Sequence, residues 1–122
     1  SRATVIRDED LSMALRLFGG KTTIYERHRH RYEVNPNIVP TLEAKGMRFV
    51  GQDESGSRMQ ILEIKSLPFF IGTQFHPEFK SRPGAATPPF LGLVLAAARR
   101  LEKRLQEDGG LLRPGSGLER YH

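Results

Sequence analysis

A short, nearly continuous apolar run over residues 69–75 places the strongest constraint on the fold of this chain. The run does not alternate between apolar and polar residues, and it stops abruptly at His76. This pattern is typical of a strand that is covered on both faces, as in a sheet with helices on either side. We therefore predict that Phe69–Phe75 forms a buried strand inside an α/β sheet.

The first third of the chain predicts a strand, a helix and an extended segment. Thr4–Ile6 is a short β-branched run that favours a strand. The helix that follows can be capped by Asp8 or Asp10, and its apolar spacing extends to about Phe18. Residues 22–34 are β-branched or aromatic at both ends, which favours extended backbone.

The middle of the chain predicts a short helix and a β-hairpin. The helix begins at Asn35, which can cap it, and ends at Gly46. Residues 47–52 and 58–65 have the composition of strands, and the segment 53–57 between them is rich in turn-forming residues.

The longest predicted helix spans residues 89–107. Its apolar stripe consists of residues at helical spacing: Phe90, Leu93, Val94, Ala97, Leu101 and Leu105. Helices, a hairpin and a buried strand in this order indicate an α/β or α+β layer architecture.

Composition excludes several classes of protein. The chain has 122 residues, of which 19 are Lys or Arg and 14 are Asp or Glu, so its net charge is +5. The length suits one domain or part of one, and the scattered charge does not favour a nucleic-acid partner. Because there is no cysteine, a disulfide scaffold, a thiolate zinc site and a cysteine nucleophile on this chain are excluded. No apolar run approaches the roughly 20 residues of a membrane helix, and a cytosolic compartment fits these features.

His76 and Glu78 form the first candidate site, because they directly follow the apolar run. The carboxyl ends of strands are where open α/β sheets carry ligands and catalytic groups. In extended backbone, side chains two residues apart leave on the same side, and Pro77 stiffens the segment between them. A carboxylate held against an imidazole is the base-and-orienter part of a nucleophilic triad. A polar strand end that faces water explains the same residues.

Residues 26–32 form a second candidate site. In a strand, Arg27, Arg29 and Arg31 lie on one face and the two histidines between them on the other. Three arginines on one face suit a phosphate or a carboxylate. Two histidines alone do not complete a metal site, and a solvated edge strand is an equally good explanation of the charges.

A basic loop over residues 79–84 is the third candidate. It can contact an anionic substrate or a neighbouring domain, although such loops are more often simply solvated. The sequence contains no nucleophile elbow, no Walker loop and no dinucleotide fingerprint. A self-contained hydrolase is therefore not expected.

Three stretches of the sequence resemble the C-terminal part of the CTP synthase family, which lies within the class-I glutamine amidotransferases. They are residues 26–35 (ERHRHRYEVN), residues 73–80 (TQFHPEFK), and Ser81-Arg82-Pro83 followed by Pro88-Pro89-Phe90. The resemblance implies the C-terminal half of a flavodoxin-like α/β amidotransferase domain, with a mixed sheet, a β-hairpin and flanking helices. We place this partial domain at residues 1–107 and a flexible tail, rich in glycine and proline, at residues 108–122.

The resemblance also implies roles for individual residues. In the family, the amidotransferase domain hydrolyses L-glutamine with a Cys-His-Glu triad and passes ammonia to a synthetase domain. The synthetase domain uses ATP and Mg²⁺ to aminate UTP, so no cofactor or metal is expected in this segment. By motif, His76 is the triad histidine, Glu78 orients it, and Arg31 contacts the glutamine substrate.

The cysteine of the family lies in a glycine-rich elbow that this sequence lacks. We therefore expect the chain to be inactive alone and to belong to a longer, cytoplasmic, homo-oligomeric protein that supplies the thiol. His76 and Glu78 are expected near hydrogen-bond distance, Arg31 on the neighbouring rim, and apolar surface exposed beside them. The alternative is a non-catalytic, amidotransferase-like module that binds an anion. Neither a membrane nor a nucleic acid is an expected partner.

Overall fold

The computed structural model describes residues 2–7, 12–29 and 32–112, which form strands and helices in mixed order. The strands are β1 (Arg2–Ile6), β2 (Thr23–Glu26), β3 (Met47–Gln52), β4 (Met59–Ile64) and β5 (Ile71–Thr73). The α-helices are α1 (Met13–Leu17), α2 (Val39–Ala44), α3 (Pro88–Ala97) and α4 (Leu101–Glu107). Single 3₁₀ turns precede α2 (Pro36–Ile38) and follow β5 (Pro77–Lys80).

The strands form one sheet in the order β2-β1-β3-β4-β5. Every described pairing is antiparallel, so the expected mixed sheet is wrong for the described strands. The β3–β4 pair confirms the predicted hairpin, and its register shifts at a bulge around Gly51. A Cβ atom at Gly51 would lie 2.6 Å from Ile61, so the close approach of the two strands here requires glycine. Among the described strands, β2 and β5 are the edges, and β5 leads towards His76.

The hairpin turn is organised by the carboxylate of Asp53. Its Oδ1 accepts hydrogen bonds from the backbone N–H groups of Ser57 and Arg58, both at 3.1 Å, and from the hydroxyl of Ser55 at 2.9 Å. Desolvation raises the pKa of Asp53, but these hydrogen bonds outweigh it and the net shift is downward. The local sequence therefore closes the hairpin by itself.

Helix α1 is shorter than predicted, and its cap is Ser12. The Ser12 hydroxyl accepts from the backbone N–H of Leu15 at 3.1 Å. A second cap comes from the sheet, where Oε2 of the buried Glu63 accepts from the N–H of Ala14 at 2.6 Å. The predicted helix start at Asp8 or Asp10 is therefore wrong for this helix, and both residues lie outside the described ranges.

Two clusters of buried side chains make up the core. The first lies between α1 and the sheet and contains Ile6, Ala14, Leu15, Phe18, Ile24, Val50, Ile61 and Phe75. The second joins α1 to the C-terminal helices and contains Leu17, Leu91, Leu95, Leu101, Leu105 and Leu112. Leu112, which we placed in the tail, thus contacts the domain; residues 113–122 lie outside the described part, and the rest of the domain division stays a prediction.

The apolar run at residues 69–75 is not a strand buried on both faces, so that prediction is wrong. Only Ile71–Thr73 is extended, these three residues are half-buried, and their strand pairs on one side with β4 alone. Phe75 is buried, whereas Phe70 is 42% exposed. Ile71 packs against both core clusters, yet the strand is only half-buried.

The long predicted helix is two helices, because the chain turns at Arg99. This residue has φ of 59°, a left-handed conformation that ends α3 before α4 begins. Helix α3 buries Leu91 and Leu95, while Leu93 and Val94 of the predicted stripe are exposed. The stripe is wrong for α3 because this helix is apolar on all sides, so spacing alone did not identify its buried face. In the part of the chain that the structure describes, no helix has the length and apolar character needed to cross a membrane.

Candidate active site

His76 and Glu78 lie together on a turn that follows β5. His76 Nδ1 and Glu78 Oε2 are 2.8 Å apart, which confirms the expected hydrogen-bond distance. The backbone N–H of His76 donates to the carbonyl oxygen of Arg27 at 2.9 Å, so the turn is tied to the chain that leaves β2. We call residues 76–80 the His76 turn.

The turn itself creates the pair. His76 is extended, with φ of −106° and ψ of 90°, and Pro77 opens the 3₁₀ turn in which Glu78 lies. We predicted that a continuous strand would bring the two side chains together; instead, a strand end followed by a 3₁₀ turn does so. Proline suits this first position because its φ is already fixed and its missing N–H is not needed there.

The hydrogen bond defines the chemistry that His76 can perform. A carboxylate at Nδ1 favours the tautomer that carries its proton on Nδ1, so Nε2 is the nitrogen that exchanges a proton with a reacting group. The hydrogen bond from His76 lowers the pKa of Glu78, so this carboxylate stays ionised at a lower pH than a free glutamate does. The side chains of His76 and Glu78 are 29% and 54% exposed, so a reacting group can approach them.

An aromatic ring, that of Phe79, contacts the imidazole. The Phe79 ring meets the His76 ring edge-on at 5.6 Å, and the Arg27 guanidinium lies 5.3 Å from the centre of the Phe79 ring. The ring of the buried Phe75, the residue before His76, lies 5.9 Å from the His28 ring. The Phe79 contact limits how far the imidazole can turn.

The arginine-rich segment lies beside the His76 turn but does not continue β2. That strand ends at Glu26, and residues 27–29 are irregular, so the predicted division of this segment into two faces is wrong for the described part. Arg29 is exposed, and Arg31, the predicted glutamine contact, lies outside the described residues together with His30. No group of three or more metal-binding side chains occurs in the ranges described above.

The basic loop 79–84 binds its own chain. Arg82 donates to the carbonyl oxygens of Phe79 and Ser81, at 3.1 and 2.7 Å. Lys80 reaches the end of β2, where its ammonium lies 3.3 Å from Oε2 of the buried Glu26. Glu26 and Lys80 were not singled out as a pair, although the alternating burial of β2 places Glu26 on the inner face with Ile24.

Apolar side chains beside the His76 turn are exposed, as expected. We call Phe70, Phe90, Leu93 and Val94 the apolar face; their exposed fractions run from 37% to 53%. A cavity of about 280 Å³ opens between β5 and α3, and Pro77 of the His76 turn is part of its lining. The candidate site therefore stands at the edge of an uncovered apolar surface.

Residues 3–96 match the family model described as glutamine amidotransferase class-I. The chain is 49% identical over 121 residues to CTP synthase 2 of Xenopus laevis and 50% identical over 120 residues to CTP synthase 2 of Homo sapiens. These matches cover 99% and 98% of this chain. A match to CTP synthase 2 of Mus musculus is 53% identical over 106 residues, or 87% of the chain. The chain spans about a fifth of the length of these relatives, 21%, 20% and 18% in the order given.

A solved structure, the glutaminase domain of Trypanosoma brucei CTPS with bound acivicin, is similar in fold. It superposes with a TM-score of 0.75 at 34% sequence identity. The match covers 81% of this chain and 39% of the solved chain. It confirms the expected α/β amidotransferase fold class.

Proposed function

The chain belongs to the class-I glutamine amidotransferase family, and from this premise we propose that it carries the histidine part of the glutaminase site of a CTP synthase. The observation that carries the proposal is the 2.8 Å hydrogen bond between His76 Nδ1 and Glu78 Oε2. The resemblance of residues 73–80 to the family motif assigns the same two residues as base and orienter. Sequence identity of about half to several CTP synthases supports this choice within the class.

In this proposal, His76 moves protons for a cysteine that lies outside these 122 residues. His76 Nε2 takes the proton of the cysteine thiol, and the sulfur attacks the side-chain amide carbon of glutamine. The carbon–nitrogen bond then breaks, and His76 Nε2 gives this proton to the departing nitrogen, which leaves as ammonia. Water then attacks the thioester and gives a proton to His76 Nε2, which passes it to the sulfur as the carbon–sulfur bond breaks and glutamate leaves. Glu78 stabilises the imidazolium that forms in both halves of the reaction.

The remaining parts of the proposal follow from the family. Arg31 contacts the glutamine substrate, and a guanidinium suits its α-carboxylate because it donates two parallel hydrogen bonds. The ammonia passes to a synthetase domain, where ATP and Mg²⁺ support the amination of UTP to CTP. No residue of this chain is assigned to ATP or Mg²⁺. The whole protein is a cytoplasmic, homo-oligomeric ligase.

The test compares two nitrogen sources in the full-length enzyme. His76→Ala should lower glutamine-dependent CTP formation by about a thousandfold or more, because the triad acts as a unit. Ammonia-dependent CTP formation should stay near the wild-type rate, because free ammonia bypasses glutamine hydrolysis. A parallel fall in both rates would instead assign His76 a structural role, and an unchanged glutamine-dependent rate would refute the triad assignment.

A further inference from the structure

An ion pair between the half-exposed Lys80 and the buried Glu26 joins the last residue of the His76 turn to the end of β2. Lys80 closes the turn, and its ammonium lies 3.3 Å from Oε2 of Glu26, the last residue of β2. The same ammonium donates to the backbone carbonyl oxygen of Tyr25. The His76 turn and β2 are thus joined by a charged side chain as well as by backbone.

Because Glu26 is buried, loss of the ion pair should have a large effect on the local structure. Glu26 is 2% exposed, and desolvation raises the pKa of its carboxyl, while Lys80 offsets part of this rise. A buried charge that loses its partner is strongly unfavourable, so the group moves towards water or takes up a proton. Removal of the Lys80 ammonium should therefore shift the end of β2, or release the turn from it.

A shift at the end of β2 reaches the imidazole through two short paths. The first is the 2.9 Å hydrogen bond from the His76 N–H to the carbonyl oxygen of Arg27, the residue after Glu26. The second runs through side chains, since the Arg27 guanidinium lies 5.3 Å from the centre of the Phe79 ring and that ring contacts His76 at 5.6 Å. Arg27 therefore couples Glu26 to both the backbone and the ring of His76.

We propose that Glu26 and Lys80 are positioning residues that hold the His76–Glu78 pair in its reactive orientation. The inference rests on the proposed function, because it concerns the same histidine. Neither residue touches the reacting atoms; both act through the His76 turn and Arg27. A misplacement of about 1 Å can lower a reaction rate a hundredfold. Loss of the contact between Lys80 and Glu26 should therefore change kcat more than the KM for glutamine.

The test uses the full-length enzyme with Lys80→Met, which removes the charge and keeps the length of the side chain. We expect the glutamine-dependent kcat to fall roughly tenfold, with less than about a threefold change in the KM for glutamine. Lys80→Arg should recover most of this loss, because it restores a cation that can reach Glu26. Lys45→Met, at an exposed lysine far along the chain from the turn, is the matched control and should behave as wild type.

A double variant tests the pairing itself. Lys80→Met together with Glu26→Gln leaves no buried carboxylate, so its glutamine-dependent kcat should exceed that of Lys80→Met alone. Strictly additive losses would overturn the ion-pair account. A Lys80→Met enzyme indistinguishable from Lys45→Met, or one that loses ammonia-dependent CTP formation in parallel, would overturn the positioning role.

The two proposals fail in different ways. If His76→Ala abolishes glutamine-dependent synthesis while Lys80→Met leaves it intact, the proposed function stands and the positioning role of Lys80 is refuted. If His76→Ala leaves glutamine-dependent synthesis intact, the proposed function is refuted, and the positioning role falls with it.

Discussion

Two regions of the molecule differ in how far their polar and apolar groups are covered. We call β3, β4 and the neighbouring β1 the hairpin side, and β5, the His76 turn and α3 the His76 side. On the hairpin side, the polar groups that are buried have partners within the described chain: Thr4 donates to Gln60, and Glu63 accepts from Ala14. On the His76 side, the hydrogen-bonded pair of His76 and Glu78 is partly exposed and lies beside the apolar face. The first side is complete by itself, whereas the second presents surface that suits a further structure.

This difference indicates which part of the molecule carries stability and which carries chemistry. Satisfied polar groups and closely packed strands stabilise a fold. Exposed apolar surface lowers the solubility of a protein. Where it surrounds partly exposed ionisable groups, it is typical of a site that meets a partner or a substrate.

The largest expected effect is in the core of the hairpin side. Ile61 is 1% exposed and Leu93 is 53% exposed. We expect Ile61→Ala to lower the free energy of unfolding by about 2–5 kcal/mol, because it leaves a cavity. Leu93→Ala, the matched change on the apolar face, should cost less than about 0.5 kcal/mol. Denaturant unfolding of the chain measures both, and equal losses would remove the distinction between the two sides.

An intermediate effect is expected at Glu63, which caps α1 from the sheet. Glu63→Ala leaves the buried N–H of Ala14 without its acceptor at 2.6 Å, and such a loss costs about 1–3 kcal/mol. Glu54→Ala, at an exposed residue of the hairpin turn, should stay within about 0.5 kcal/mol of wild type. Hydrogen exchange adds a second measurement, because the Ala14 amide should lose protection only in the Glu63 variant.

The smallest expected effect is at Asp53, whose carboxylate organises the hairpin turn. Because the pKa of Asp53 is lower in the folded chain, the ionised group stabilises the fold at neutral pH, and this contribution disappears as the pH falls through the lowered pKa. We expect Asp53→Asn to cost less than about 1 kcal/mol at pH 7, since the group is largely exposed. Once the pH lies below the lowered pKa, the variant and the wild type should converge. A difference that persists or grows in acid would contradict the assignment.

The same two sides differ in how well the sequence predicted them. The hairpin follows from local signals, two strand-forming segments around a turn-rich segment, and its strands were predicted to within one residue. The predictions for residues 69–75 and for helix α3 rested on apolar composition. Composition indicates that a segment is buried, but not which of its faces is covered or by which element. For that reason β5 proved shorter and half-buried, and Leu93 proved exposed.

The candidate site was predictable only in its local part. His76 and Glu78 are two residues apart, so a sequence motif identifies them. Their side chains are in contact although the backbone turns at Pro77. The pairing of Lys80 with Glu26 joins distant parts of the chain, and only the fold brings these residues together. The break at Arg99 had no signal either, because arginine is a good helix former and rarely adopts a positive φ.

The most direct test of this account is glutamine hydrolysis by the purified 122-residue chain itself. If His76 and Glu78 are the base and orienter of a site whose thiol comes from elsewhere, the wild-type chain and its His76→Ala variant should both remain at the background rate. Turnover that survives further purification and disappears in His76→Ala would contradict the account, because the chain would then possess a complete glutaminase site of its own.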